Sequence, residues 1–258
     1  MIWRRMRQAW ARWCEQRDLH AHPIPDELWQ LTLARYAFLA TRSETDLANL
    51  RRLCSLFLAR KEFHGAAGFV VSDEVAVAVA AQACLPILQL GIDAYDGFVG
   101  IVMHVGEVVA EREFIDEDGV VHHYEEALAG ESMEGGPLML AWSEVQAASD
   151  PVAQFDAVYN VVIHEFAHVM AQSSVLMGGA GPWHAVLEAA MCAFSARLDQ
   201  GMDSVLDPYG ESSRDEFFAV SVEAFFVAPQ ALRQEQAALY AWLANLFRQD
   251  PASTFTAP

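Results

Sequence analysis

The sequence predicts an α+β fold in which a small mixed sheet near the middle of the chain is surrounded by helices. Three observations carry this. Apolar residues recur at helical spacing towards both ends, short runs suited to strands cluster between Glu62 and Trp142, and neither a repeat nor a linker divides the chain.

At the N-terminus, Met1 to Arg17 holds Arg4, Arg5, Arg7, Arg12 and Arg17 against one acid, Glu15. Trp3, Met6, Trp10 and Trp13 share one helical face. A basic amphipathic helix can lie on a membrane. The simpler expectation is a terminal helix packing its tryptophans on the body, so membrane association is not expected. Pro23 and Pro25 punctuate this segment, giving a division into 1–25 and a single domain over 26–258.

Helical spacing runs from Asp26 to Ala40 and from Ser43 to Lys61, where Ser43 and Asp46 suit a cap. A strand with glycine breaks follows in "EFHGAAGFVVS". Ser72 then caps a uniformly apolar helix through "DEVAVAVAAQACLPILQLG", bent or restarted at Pro86. Tyr95 to Val109 reads as one or two strands, Asp118-Gly119 as a turn, and "GGPLMLAW" as a strand leading to a helix capped by Ser143. From Asp156 the pattern is helical. After a glycine-rich loop, Val175 to Trp183, helices are expected over Ala185–Leu198, Asp215–Phe226 and Gln230–Gln249.

The bulk numbers exclude several classes. With 258 residues, 53% hydrophobic, the chain can bury a substantial core. A net charge of −19 argues against direct nucleic-acid binding, which needs a basic footprint. No run reaches the roughly 18 apolar residues of a membrane span, and arginines interrupt any secretory signal. Cys14, Cys54, Cys84 and Cys192 are isolated, which suggests reduced thiols and a cytoplasmic protein.

The chemistry lies in "YNVVIHEFAHVMAQ". On a helix, His164 and His168 are one turn apart and point the same way, so two imidazoles can reach one zinc ion. Glu165, rotated to the side, can take a proton from a water beside the metal. A catalytic zinc needs a third protein ligand. Ser174 occupies the place of the third metzincin histidine and excludes that subclass. Glu188 lies about where a thermolysin-like ligand would fall, although Cys192 replaces the usual orienting aspartate. Glu216 is the other candidate, and it shares a helical face with Glu223. Phenylalanines flank both, and a carboxylate on a buried face is costly unless paired or metal-bound.

The stretches "CLPILQLGIDAYDGF", "GESMEGGPLMLAWSEV", "NVVIHEFAH" and "DEFFAVSVEAFFVAPQAL" resemble, in this order, the Mlc titration factor A family of zinc peptidases, also called DgsA anti-repressors. The resemblance runs from about Pro25 to Pro251. It implies a zincin-like core similar to anthrax lethal factor and aminopeptidase-type hydrolysis of small substrates. By motif, His164, His168 and Glu216 become the zinc ligands, Glu165 the base and Tyr209 the phenol that stabilises the oxyanion. From its place on the helix, Glu223 either supports a ligand histidine or forms a salt bridge elsewhere, and "GGPLMLAW" is either an ordinary sheet strand or the edge on which an extended peptide pairs. The resemblance also implies a protein partner, a glucose-responsive repressor of the Mlc type. Two departures stand out. The family's basic residue, Leu and Asp after the second histidine are Val169, Met170 and Ala171 here, and the glycine-rich loop diverges. The competing expectation is a non-catalytic interaction protein that sequesters a repressor.

Overall fold

Ser43 and Ser72 accept hydrogen bonds from the backbone N–H groups of Asp46 and Val75, and each starts the helix expected of it. A computed structural model describes residues 2–106, 108–115, 121–128, 130–132, 136–149, 158–172 and 183–254. Helices α1 (Ile2–Ala21), α2 (Asp26–Arg35), α3 (Ala37–Ala40) and α4 (Glu44–Arg60) lead into strand β1 (Glu62–Gly65). Helix α5 (Asp73–Cys84) connects to β2 (Gly100–His104), followed by β3 (Val108–Ile115), β4 (Val121–Leu128), β5 (Gly130–Ser132) and β6 (Leu138–Ala141). The remainder is helical: α6 (Trp142–Ala147), α7 (Val161–Ala171), α8 (Trp183–Asp199), α9 (Arg214–Val227), α10 (Pro229–Glu235), α11 (Ala237–Phe247) and α12 (Pro251–Thr254).

The sheet is small and mixed, as the sequence predicts. Its order is β1-β2-β6-β5, with β1, β2 and β6 parallel and β5 antiparallel to β6. A parallel neighbour requires a long crossover, which α5 supplies between β1 and β2. Strands β3 and β4 form a separate antiparallel ribbon. Helix α5 is buried almost all round, which explains its uniform apolarity, and it packs against both α4 and α7.

Several expectations are corrected. The helix from Asp26 to Ala40 breaks at Tyr36, whose buried hydroxyl donates to the Val145 carbonyl at 3.0 Å. Helix α5 ends at Cys84 and gives way to turns, because Pro86 has no N–H to continue the ladder. The last long helix is split at Gln236, whose side chain donates to the Ala190 carbonyl at 3.1 Å. The strand in "GGPLMLAW" is β6, but it lies between β2 and β5, so the sheet edge is β5. Helix α6 starts at Trp142 without a side-chain cap from Ser143. The Asp118-Gly119 turn and the loop through Gly178 and Gly179 lie outside the described residues.

The N-terminal segment departs most. The later part of α1 rests on α4, where Glu15 pairs with Arg52 and Leu19 packs against the core. Trp3, Met6, Trp10 and Trp13 face away from the body instead of packing on it.

Buried Lys61 closes the other side of the core. Its Nζ donates to the Tyr95 and Phe98 carbonyls, each at 2.5 Å, and sits 4.1 Å from the centre of the Phe98 ring. Burial lowers its pKa to about 8. The contact fixes the turn that leads into β2.

Candidate metal centre

Helix α7 begins where Asn160 can cap it. The Asn160 Oδ1 accepts from the Ile163 N–H at 2.9 Å, so the helix starts at Val161 and residues 158–160 are not helical. Rotation of α7 is fixed by Phe166, whose ring lies 4.9 Å from Tyr95, 5.5 Å from Phe98 and 5.7 Å from Phe57. With that face locked in the core, His164 and His168 are left half-buried on another. Helix α9 starts on Ser213, whose hydroxyl accepts from the Glu216 N–H at 3.1 Å. Buried Phe217, Phe218, Phe225 and Phe226 seat it so that Glu216 and Glu223 both face α7.

The three predicted ligands come together. His164 Nε2 is 2.9 Å from Glu216 Oε2, His168 Nε2 is 3.1 Å from His164 Nε2, and His168 Nε2 is 3.4 Å from Glu216 Oε2. Bonds of about 2.0–2.1 Å in tetrahedral geometry place donor atoms roughly 3.3 Å apart. The observed separations bracket that figure. Two imidazole nitrogens and one carboxylate oxygen are also the donor types that suit a borderline divalent cation, so the site fits a metal. Among the described residues, no other trio of histidine, cysteine and acidic side chains converges in this way. Glu188 is exposed on α8, in a groove with Cys192, Asp199 and Arg214, and takes no part.

Glu223 is almost wholly buried, and its Oε1 lies 2.7 Å from His164 Nδ1. A proton on Nδ1, donated to this carboxylate, leaves the Nε2 lone pair free for a metal. The carboxylate is itself held: its Oε2 accepts from the backbone N–H of Asn160. The Asn160 Nδ2 donates to Gln82 Oε1 at 2.7 Å, and the Gln82 Nε2 donates to the Ala78 carbonyl at 3.1 Å. A buried polar chain thus ties α5 to His164 through Asn160 and Glu223. Ala171 ends α7, so no carboxylate enters from that position.

Glu165 points towards β5. It is buried, and its Oε2 has no hydrogen-bond partner among the described residues. Gly130 makes room for it: a Cβ there would sit 2.7 Å from both Glu165 Cγ and Oε1. Tyr209 lies in a short 3-10 turn, Pro208–Glu211, whose start is fixed by Asp207 accepting from the Tyr209 N–H at 2.8 Å. Its ring centre is 6.4 Å from that of His164, and the phenol is half exposed. Gly210 lets this turn meet α9, since a Cβ there would be 2.7 Å from Val220 Cγ2.

The electrostatics follow from this crowding. Burial raises the Glu165 pKa to about 7, against the opposing pull of His164 and His168. Burial also acts to raise Glu216, but hydrogen bonds from both histidines outweigh it and hold the carboxyl near 2. For His164 burial favours the neutral ring, yet Glu216 and Glu223 reverse it and raise the pKa to about 10. Glu223 is shifted upward by burial, opposed by His164.

Sequence reasoning missed three residues of this site. Asn160 was detectable, as a capping residue before an apolar run. Gln82 was too, as the one polar side chain between Val75 and Leu85. Nothing in "LAGES" distinguishes Gly130.

The family model described as glucose-regulated metallo-peptidase M90 matches residues 10–248. An uncharacterized protein of Synechocystis sp., slr2042, is 32% identical over 254 residues, covering 94% of this chain and 90% of its own. Mlc titration factor A of Pectobacterium atrosepticum is 31% identical over 236 residues, covering 87% of each. The Enterobacter sp. protein of the same name is 29% identical over 240 residues, covering 88% of each.

Proposed function

Because the chain belongs to the glucose-regulated metallo-peptidase M90 family, we propose that it is a cytoplasmic, zinc-dependent, aminopeptidase-like enzyme built on a zincin-like core over residues 26–258. The observation that carries this reading is the convergence of His164, His168 and Glu216 beside a buried carboxylate, Glu165, with an oxygen unpartnered among the described residues. His164, His168 and Glu216 would hold a zinc ion, which when bound would supply Lewis acidity towards a water and a peptide carbonyl.

The chain's own groups do the rest. The Glu165 carboxylate, made more basic by burial, takes the proton of the attacking water and passes it to the leaving amine. Tyr209 donates its phenolic proton to the oxygen of the former carbonyl, where negative charge develops. Glu223 keeps the His164 ring oriented, with Asn160 and Gln82 behind it. An extended peptide pairs along the edge strand β5, where Gly130 lets its backbone approach the Glu165 carboxylate.

The test is hydrolysis of an aminoacyl p-nitroanilide by the purified protein, with and without chelator, and by Glu165→Gln. Activity that the chelator and the substitution both abolish, with metal still bound in Glu165→Gln, supports the reading. Undiminished turnover by Glu165→Gln contradicts it.

The name Mlc titration factor A carried by relatives favours a second role, binding a repressor of the Mlc type. Capture of such a repressor by Glu165→Gln, undiminished by the loss of turnover, would support binding on a surface separate from the chemistry. Failure of both forms to capture it would remove that role.

A further inference from the structure

Trp3, Met6, Trp10 and Trp13 are 83%, 65%, 69% and 60% exposed. Their spacing puts them along one stripe of α1, a helix of 20 residues and so about 30 Å long. Single exposed apolar residues are ordinary, but a contiguous apolar stripe marks a surface that meets something. Three of the chain's seven tryptophans lie on it. The helix does not swing free to bury them, because Leu19 is packed on the core and Glu15 is paired with Arg52 of α4.

We propose that α1 docks on the surface of an anionic lipid bilayer. The first argument is charge. The sequence of α1 holds Arg4, Arg5, Arg7, Arg12 and Arg17 and only two acids, Glu15 and Asp18, in a chain whose net charge is −19. Basic character is therefore gathered on the element that carries the exposed indoles, while the acidic remainder is repelled by anionic headgroups. The two forces together set an orientation, with α1 against the lipid and the rest of the chain away from it.

The second argument is the side-chain chemistry. Tryptophan settles at the boundary between headgroup and acyl chain, where its apolar body and N–H are both accommodated. A helix with such a stripe and abundant arginine lies in the plane of the interface. Among the described residues no helix is long and apolar enough to cross a membrane, so α1 rests on the bilayer and does not span it. A second copy fits less well, since α1 carries five arginines against two acids and two such helices repel one another.

The inference does not depend on the peptidase reading. Its test is co-sedimentation of the full chain with vesicles of phosphatidylcholine alone and of phosphatidylcholine containing phosphatidylglycerol. The variant for comparison is Trp3→Ser with Trp10→Ser, both at exposed positions outside the metal centre. The expected result is binding to the phosphatidylglycerol vesicles at least tenfold stronger than to phosphatidylcholine alone, weakened by salt and reduced at least tenfold in the double variant. Helix content and aminoacyl p-nitroanilide hydrolysis should match the parent. Equal binding by parent and variant, or no binding to phosphatidylglycerol vesicles, would overturn it. So would a dimer in lipid-free solution that the double substitution dissolves, since that would assign the stripe to a second copy.

Discussion

Replacing Gly130 with alanine tests how Glu165 is held. The new Cβ would lie 2.7 Å from Glu165 Cγ and Oε1 and 2.9 Å from Cδ. Ordinary carbon contacts lie at about 3.5–4.0 Å, so either β5 or the carboxylate must yield by roughly 1 Å. Glu165 is buried on α7, whose rotation is locked by Phe166 among Phe57, Tyr95 and Phe98. The carboxylate therefore shifts at the cost of its alignment, and a displacement of about 1 Å can cost on the order of 10²-fold in rate. Overpacking of this kind costs about 1–3 kcal/mol, equivalent to a Tm lower by roughly 2–4 °C per kcal/mol for a chain of this size. Initial rates on an aminoacyl p-nitroanilide, with metal analysis and thermal melting, measure these quantities. Turnover should fall about 10²-fold with full metal content, because the atoms nearest a Cβ at Gly130 all belong to Glu165 and not to the proposed ligands, and adding Glu165→Gln should cost little more. A rate within threefold of the parent, with metal bound, would refute the reasoning.

Three further outcomes are expected. Asn160→Ala removes the α7 cap and leaves the Gln82 amide oxygen without its partner, a loss of about 2–4 kcal/mol measurable by denaturant unfolding; an unchanged midpoint would contradict it. Glu223→Gln keeps the shape but not the charge behind His164, and should weaken metal affinity about 10–100-fold by chelator competition; unaltered affinity would remove Glu223 from that role. On the proposed mechanism Glu165 acts as the carboxylate, so kcat/KM should rise with pH through its pKa, which burial raises to about 7. A bound cation pulls that midpoint lower but never above it, so an ascending limb centred above pH 7 would exclude Glu165 as the group observed.

Much of the site was legible because helical period is written directly in sequence. His164 and His168 had to share a face, as did Glu216 and Glu223, and Ser43 and Ser72 announced their helices. The choice between Glu188 and Glu216 was not legible from the motif's spacing, because the carboxylate that meets the two histidines comes from another helix and only packing decides which one reaches α7. Strand order was equally hidden: nothing in "GGPLMLAW" says that β5 would cover its outer side. The α1 stripe shows a further limit. An amphipathic pattern records that a face is apolar but not what it meets, so the expectation of packing on the body was reasonable and wrong. Gly130 matters only through the approach of a side chain 35 positions later in the chain, which local propensity cannot register.

The most direct measurement is the metal content of the purified protein and of Glu216→Ala, by elemental analysis after dialysis against trace chelator. The account predicts one zinc per chain in the parent and loss of that zinc from Glu216→Ala, with the fold retained by circular dichroism. Full zinc occupancy in Glu216→Ala, or a parent that binds no divalent metal, would contradict it.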